Sequence, residues 1–234
     1  MAGFTGASPI VTDGLVFAVD PANYESYPGS GNTWTDLVSG ITGTLTNNPT
    51  YSSNNGGLIV CDGTDDYIDF DSFESYVPTT EGTINTFVRI TDLTITSGEK
   101  FIMNYKVNGA NQINIMLKYT GGSAKIQWRY KAGGTAENRN SETSNFSTSD
   151  FYLLSITYSV TNNRMRAYSN GVQISNDLSI GGTWAGGTAD FQFGGHNGSK
   201  ACPIELAQGS VYNRELSATE ILQNYNALKP RFNL

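Results

Sequence analysis

A chain of 234 residues in which 38% of side chains are apolar and 12% aromatic holds enough material for one sizeable core, which excludes a disordered polymer. Charged residues make up only 15% and the net charge is −7, so a chain without a known nucleic-acid motif is not expected to bind nucleic acid. No stretch approaches the roughly 20 consecutive apolar residues of a membrane-spanning helix, and 26 glycines amid abundant Thr, Asn and Ser suit strands joined by polar turns.

The opening "MAGFTGASPIVTDG" has no basic residue and no apolar core, so a secretory signal is not expected and folding is expected in a cytoplasm. Strands follow at short intervals: "LVFAV" (15–19), "LIVC" (58–61), "YIDF" (67–70), "TINTFVRI" (83–90), "KFIMNY" (100–105), "QINIMLK" (112–118) and "AKIQWRY" (124–130). They continue with "YLLSITYS" (152–159), "RMRAYS" (164–169), "VQIS" (172–175), "FQF" (191–193) and "IELAQGSVY" (204–212). Turn clusters such as "SSNNGG", "NGAN" and "TGGS" lie between them. Many short strands with regular turn signals read as one all-β sandwich or jelly roll.

Charge is unevenly placed. Residues 1–88 hold eleven acids and no Lys or Arg, whereas residues 89–166 hold ten of the fourteen basic residues against five acids. An acidic first third facing the basic middle of a neighbouring copy would give oriented, salt-sensitive association.

The two-residue strand period sorts side chains by face. Ile113, Ile115 and Leu117 share one face, with Gln112, Asn114, Met116 and Lys118 opposite. Ala124, Ile126, Trp128 and Tyr130 point one way, with Lys125, Gln127 and Arg129 the other. Trp128, in phase with Ile126, is expected in the core and not as a sugar-stacking platform. Gln112, Asn114, Lys118, Gln127 and Arg129, with Arg164 and Arg166 as neighbours, form the candidate ligand-binding face. In "RMRAYSNGVQIS", Asn170-Gly171 marks a type I′ hairpin turn, because both residues tolerate positive φ.

Near the C-terminus, Ser217 and Glu220 form a capping box, Leu216 and Ile221 occupy the staple positions, and Ile221, Leu222, Tyr225 and Leu228 make an apolar stripe ended by Pro230. The expected helix, about residues 218–228, docks on the sandwich and locks the last strand. Cys61 and Cys202 lie far apart without metal spacing and read as separate buried thiols. His196, the single histidine, has no strand–G-x-S-x-G–helix elbow beside it. The carboxylates of "DGTDDYIDFD" read as turn and strand-edge residues, not as the pair about 5 Å apart that retaining glycoside hydrolysis needs. No enzymatic activity is expected. Asp62, Asp65 and Asp66 are candidate ligands for calcium, a hard cation that prefers oxygen donors, against the plainer reading of an Asx turn at Asp62.

"SITYSVTNNRMRAYSNGVQIS", "FQFGG" and "VYNRELSATEI" resemble the laminin-G-like, concanavalin A-like jelly-roll family. "GLVFAVDPANYESYPGSGNTWTDLVSG", "GTLTNNPTY" and "DGTDDYIDF" are similar to copies of that domain in structural proteins of tailed phages, especially cyanophages and other marine phages. The resemblance runs from Asp13 to Phe232. It implies one jelly-roll domain over 1–234 (core 13–232), built of two antiparallel sheets, with first and last strands adjacent. It further implies a non-catalytic structural protein on the virion surface: a capsid decoration or tail-accessory subunit contacting other virion proteins or copies of itself. The alternative is an adhesin for host-envelope polysaccharide. Unlike long fibre proteins, the chain shows no shaft, collagen-like repeat or coiled coil, and no cofactor is expected apart from the calcium candidate.

Overall fold

The computed structural model describes residues 9–71, 73, 75–77, 79–174, 176–185, 187 and 189–234. The first eight residues of the stretch read for a secretory signal, and Ser175 at the end of the strand read over 172–175, lie outside the described residues. The strands are β1 (Leu15–Val19), β2 (Thr33–Thr35), β3 (Thr42–Thr46), β4 (Thr50–Ser52), β5 (Leu58–Cys61), β6 (Tyr67–Phe70), β7 (Glu81–Ile90) and β8 (Glu99–Asn108). They continue as β9 (Asn111–Thr120), β10 (Ser123–Ala132), β11 (Thr135–Glu142), β12 (Tyr152–Ser159), β13 (Arg164–Ser169), β14 (Val172–Gln173), β15 (Asp190–Phe193) and β16 (Ile204–Tyr212), before helix α1 (Ala218–Leu228).

These strands build two antiparallel sheets of eight. The first runs β14-β13-β12-β7-β16-β5-β4, with β1 also paired to β16; the second runs β11-β10-β9-β8-β15-β6-β3-β2. The first and last strands are therefore neighbours, Leu15 lying opposite Tyr212. The alternation read from β9 and β10 holds: Ile113, Ile115, Leu117, Ile126, Trp128 and Tyr130 face the first sheet in one core. Phe17 of β1 reaches across it to Phe70 and Phe191, edge to face, at 4.9 and 5.5 Å between ring centres. Trp128 is fully buried, as its phase requires.

The hairpin at 164–173 has a two-residue loop, with Ser169 opposite Val172, and its loop residues Asn170 and Gly171 have φ of 52° and 81°. Strands β2, β3, β4 and β11 have no counterpart in the sequence reading. They are short or, in "TAENRNSE" of β11, wholly lacking in the apolar alternation that marks a half-buried strand.

Helix α1 lies on the outer face of the first sheet. Ser217 accepts the Glu220 N–H while Glu220 reaches back to the Ser217 N–H, the full capping box. Leu216 and Ile221 pack with Val11, Tyr168 and Tyr212, and Tyr225 and Leu228 pack on Phe87 and Leu153. The stripe differs from the expected one at a single position. Leu222 is 42% exposed, because it sits over the Gly171 turn, and Asn224 turns inward instead. Its Oδ1 accepts the Val11 N–H at 2.8 Å and its Nδ2 donates to the Tyr212 hydroxyl at 3.1 Å, while that hydroxyl donates to the Val11 carbonyl. No helix among the described residues is long and apolar enough to cross a membrane.

Asn224 thus ties together the start of the first strand, the last strand and the helix. Replacing it with Ala leaves a buried N–H and a buried hydroxyl each short of a partner, and should lower stability by about 1–3 kcal/mol. Ser217→Ala should lower it by about 1 kcal/mol. Urea unfolding of the two variants beside the parent checks both values and their order.

Candidate functional site

Helix α1 covers much of the first sheet, so the broad uncovered surface is the outer face of the second. Strand register arranges its side chains in rows. One row crosses all eight strands: Asn138, Arg129, Asn114, Asn104, Gln192, Asp69, Thr44 and Thr33, each directly opposite the next. Directly paired residues share a face and are the contacting unit of a sheet. A second row is ionic, with Glu99, Lys118, Lys125 and Glu142 on four successive strands. Lys118 and Lys200 bind Glu99 at 3.0 and 2.7 Å, and Lys125 binds Glu142 at 2.8 Å.

The turn that follows β15 folds back over the middle of the first row. His196 Nδ1 lies 2.9 Å from the Gln192 carbonyl oxygen, and Lys106 Nζ lies 2.8 Å from His196 Nε2. These partners assign the proton to Nδ1 and a lone pair to Nε2. Burial and the Lys106 ammonium lower the histidine pKa, keeping the ring neutral. Gln192 also donates to Asn197 at 2.6 Å, and Asn114 donates to Asn104 at 2.6 Å. Under this cover Asn104, Asn114 and Gln192 are completely buried, yet Asn114 Oδ1 and Asp69 Oδ1 have no hydrogen-bond partner.

Two carboxylates on this face titrate in opposite directions. Burial raises Asp69 to about 6, with Asp71 and Asp190 adding to the rise and the Gln192 amide opposing it. Burial also acts to raise Glu99, but the Lys200 and Lys118 ammonium groups outweigh it and hold the acid at about 2. Asp69 is not the strand-edge residue expected from sequence: β6 is paired on both sides, to β15 and β3. Its signal in the sequence was the outward phase between Ile68 and Phe70, which only the sheet assignment makes readable.

The structure divides the candidate ligand-binding set. Gln112, Asn114, Lys118, Gln127 and Arg129 share the outer face of the second sheet, with Asn114 and Gln127 buried beneath their neighbours. Arg129 bonds Asn138 and Gln127 and lies 3.7 Å from Glu99. Arg164 and Arg166 are not their neighbours. They belong to β13 of the first sheet, where Arg164 clamps Glu215 at 2.8 Å and Arg166 binds Asp177 at 2.7 Å. The alternation gives a residue's face but not which sheet its strand joins, hence the misplacement.

The basic middle of the chain is largely neutralised within the molecule. Arg89, Lys118, Lys125, Arg129, Arg164 and Arg166, six of its ten cations, pair with Glu205, Glu99, Glu142, Glu215 or Asp177, and none pairs with an acid of the first third. The charge split of the sequence therefore does not present a free basic face.

Asp62, Asp65 and Asp66 bring one carboxylate oxygen each within 4.8 Å of the others. The Asx turn is present, with Asp62 Oδ1 accepting the Thr64 N–H at 2.7 Å, and Asp66 Oδ2 accepts the Asp62 N–H at 3.0 Å. Burial raises the Asp66 pKa, against the Asp62 N–H and with the help of the Asp62 and Asp65 charges. Carboxylate oxygens are the donor type that calcium takes, but calcium takes about six to eight of them and this cluster brings together three residues, two of whose oxygens already accept backbone N–H groups. The thiols of Cys61 and Cys202 are buried and free, and burial pushes both upward, Cys202 to about 12. The ring nitrogens of His196 are engaged by an amide and an ammonium group, an arrangement that orients no hydroxyl or thiol nucleophile.

Two packed antiparallel sheets closed by a C-terminal helix, with a polar outer sheet face, define a lectin-type jelly roll. The chain belongs to the concanavalin A-like lectin/glucanases superfamily, whose family model matches residues 62–222. No curated protein matches the sequence. Among solved structures, a Trypanosoma rangeli sialidase in complex with sialic acid superposes with a TM-score of 0.68 at 15% identity, over 96% of this chain and 34% of the sialidase. The receptor binding domain of botulinum neurotoxin type G gives 0.69 at 15% identity, over 91% of this chain and 51% of that one. That of the botulinum neurotoxin C/D mosaic serotype gives 0.71 at 14% identity, over 92% and 51%. The chain thus spans 34% of the sialidase and 51% of the toxin domains, and these likenesses show the shared fold.

Asp69 makes the site's titration measurable. Its folded pKa lies above the unfolded value of 3.8, so it favours the folded state at low pH and opposes it as pH rises through about 6. Asp69→Asn should therefore stabilise the protein at pH 7.5, by on the order of 1–3 kcal/mol, with the gain shrinking towards pH 4. Urea unfolding of parent and variant across that range reads the effect; a pH-independent difference would show that Asp69 titrates normally.

Proposed function

We propose that this protein is a non-catalytic recognition module and serves as an accessory structural subunit of a phage particle, a capsid decoration or tail-accessory protein acting through protein contacts at the virion surface. The phage setting is supported by the sequence resemblance. The observation that carries a contact role is the outer face of the second sheet, where a row of polar side chains crosses eight strands and a row of paired ions crosses four, without a covering helix. Such a face offers the hydrogen-bonding groups that protein interfaces use, at roughly one direct hydrogen bond per 100–200 Å². The engagement of His196 and the thiol pKa values support the non-catalytic reading.

A second reading, adhesion to host-envelope polysaccharide, is favoured by one specific feature. The row ends in exposed neutral groups, Asn138 on one side and Thr44 and Thr33 on the other, of the kind that recognise sugar hydroxyls, and the superfamily is lectin-like.

Because most cations of the middle segment are already paired within the chain, attachment to particles should change little between about 0.1 and 1 M salt, as the Debye length falls from ~10 to ~3 Å. Gold-labelled antibody on intact particles locates the protein. Label over the shell supports decoration, label at the tail supports the accessory or adhesin role, and unlabelled particles end the virion proposal. Gln112→Glu with Lys131→Glu, a directly opposed pair on β9 and β10, alters the face without breaking an ion pair. Particle or envelope binding should fall about tenfold or more; unchanged binding to both would mean that the working surface lies elsewhere.

A further inference from the structure

We infer that β11, an edge of the second sheet, is a self-association surface: two copies of the chain pair antiparallel along it, about a two-fold axis at Asn138. The inference goes beyond the contact role proposed above and does not depend on the phage setting.

Four strands end the two sheets: β14, β4, β11 and β2. β2 and β4 have three residues each and β14 has two, too few to template a partner, whereas β11 has eight. It carries no Pro and no Lys, and its pairing with β10 runs without a bulge, so these common protections of an edge are missing.

The loop Gly133-Gly134 fixes which backbone groups point outward. Both residues have positive φ, 54° and 88°, and Ala132 lies opposite Thr135, as in a type I′ hairpin. The pair closing such a turn exchanges both backbone bonds, and bonded pairs alternate from there. Thr135, Glu137, Arg139 and Ser141 therefore bond β10, while Ala136, Asn138, Asn140 and Glu142 direct N–H and C=O to the free edge. These last four are exposed, and among the described residues no backbone group outside β11 bonds them.

The side chains choose the partner. Glu137 and Arg139 share one face of the strand, and neither has an ion-pair partner among the described residues. Arg139 donates to the Asn176 carbonyl at 2.8 Å, which leaves other guanidinium N–H groups free to bond. A lone inward charge guards an edge, but opposite charges two positions apart are self-complementary. With Asn138 opposite the partner's Asn138, each Glu137 faces the partner's Arg139. Those contacts fall in non-bonded pairs, where side chains approach closest, and Ala136, Asn138 and Asn140 supply the bonded pairs. Shifting the register by two residues sets Glu137 against Glu137 or Arg139 against Arg139, so charge selects one register. Asn138 also heads the polar row of the outer face, and pairing here continues that row into the second copy. Without an apolar centre, the dimer is expected to be reversible.

Sedimentation velocity of the full chain from about 10 μM to about 1 mM reads the association. A dimer should form within that range and weaken as salt rises to about 1 M. Glu137→Arg and Arg139→Glu each put like charges together twice, and each should weaken it about tenfold or more. The double exchange, Glu137→Arg with Arg139→Glu, should restore it. Cα atoms of a bonded pair lie about 5.5 Å apart, within disulfide reach. Asn138→Cys should therefore cross-link two copies under mild oxidation and Asn140→Cys should not, the native thiols being buried. A chain monomeric throughout, single exchanges without effect, a folded double exchange that fails to restore the dimer, or cross-linking by Asn140→Cys in preference to Asn138→Cys would each overturn the assignment.

Discussion

The last strand lies inside the first sheet, not at its edge, and the architecture depends on that placement. β16 pairs along its length with β7, and on its other side with β5 at its start and β1 at its end. Leu15 and Tyr212 must therefore meet before the first sheet is complete, a contact between chain ends that closes a very long loop. The C-terminal segment holds that contact once made. Asn224 bonds Val11 and Tyr212, Gln223 bonds the Pro9 carbonyl, and Arg231 reaches back to Asp20 at 2.7 Å. The helix that ends an otherwise β chain is a clasp for the sheet it covers, and by covering the first sheet it leaves the second as the broad polar surface.

On that surface the same burial produces two different electrostatic outcomes. Glu99 is surrounded by Lys118, Lys200 and Arg129 and stays ionised far into acid. Asp69, in the neutral row, has only an amide to set against its desolvation and two nearby acids, and it titrates near 6. The ionic row is thus electrically closed, while the amide row keeps unmet acceptors at Asn114 and Asp69. Buried acceptors without partners are uncommon in folded proteins; besides these two, Asn85 Oδ1, Gln208 Oε1 and Glu205 Oε2 of the first sheet are in the same condition. Within the outer face of the second sheet, such acceptors belong to the amide row and not to the paired charges beside it.

What could be read from sequence follows the strength of local signals. The capping box at Ser217 and Glu220 and the hairpin at Asn170-Gly171 depend on a few adjacent residues, and both appear as expected. Strands with apolar alternation, such as "YLLSITYS" and "IELAQGSVY", match their read limits. The edge strands β2, β4 and β11 were invisible because an edge need not bury a face, as β11 shows. The site was half legible: phase placed Gln112 and Arg129 together, but assigning Arg164 and Arg166 required knowing that β12 and β13 join β7.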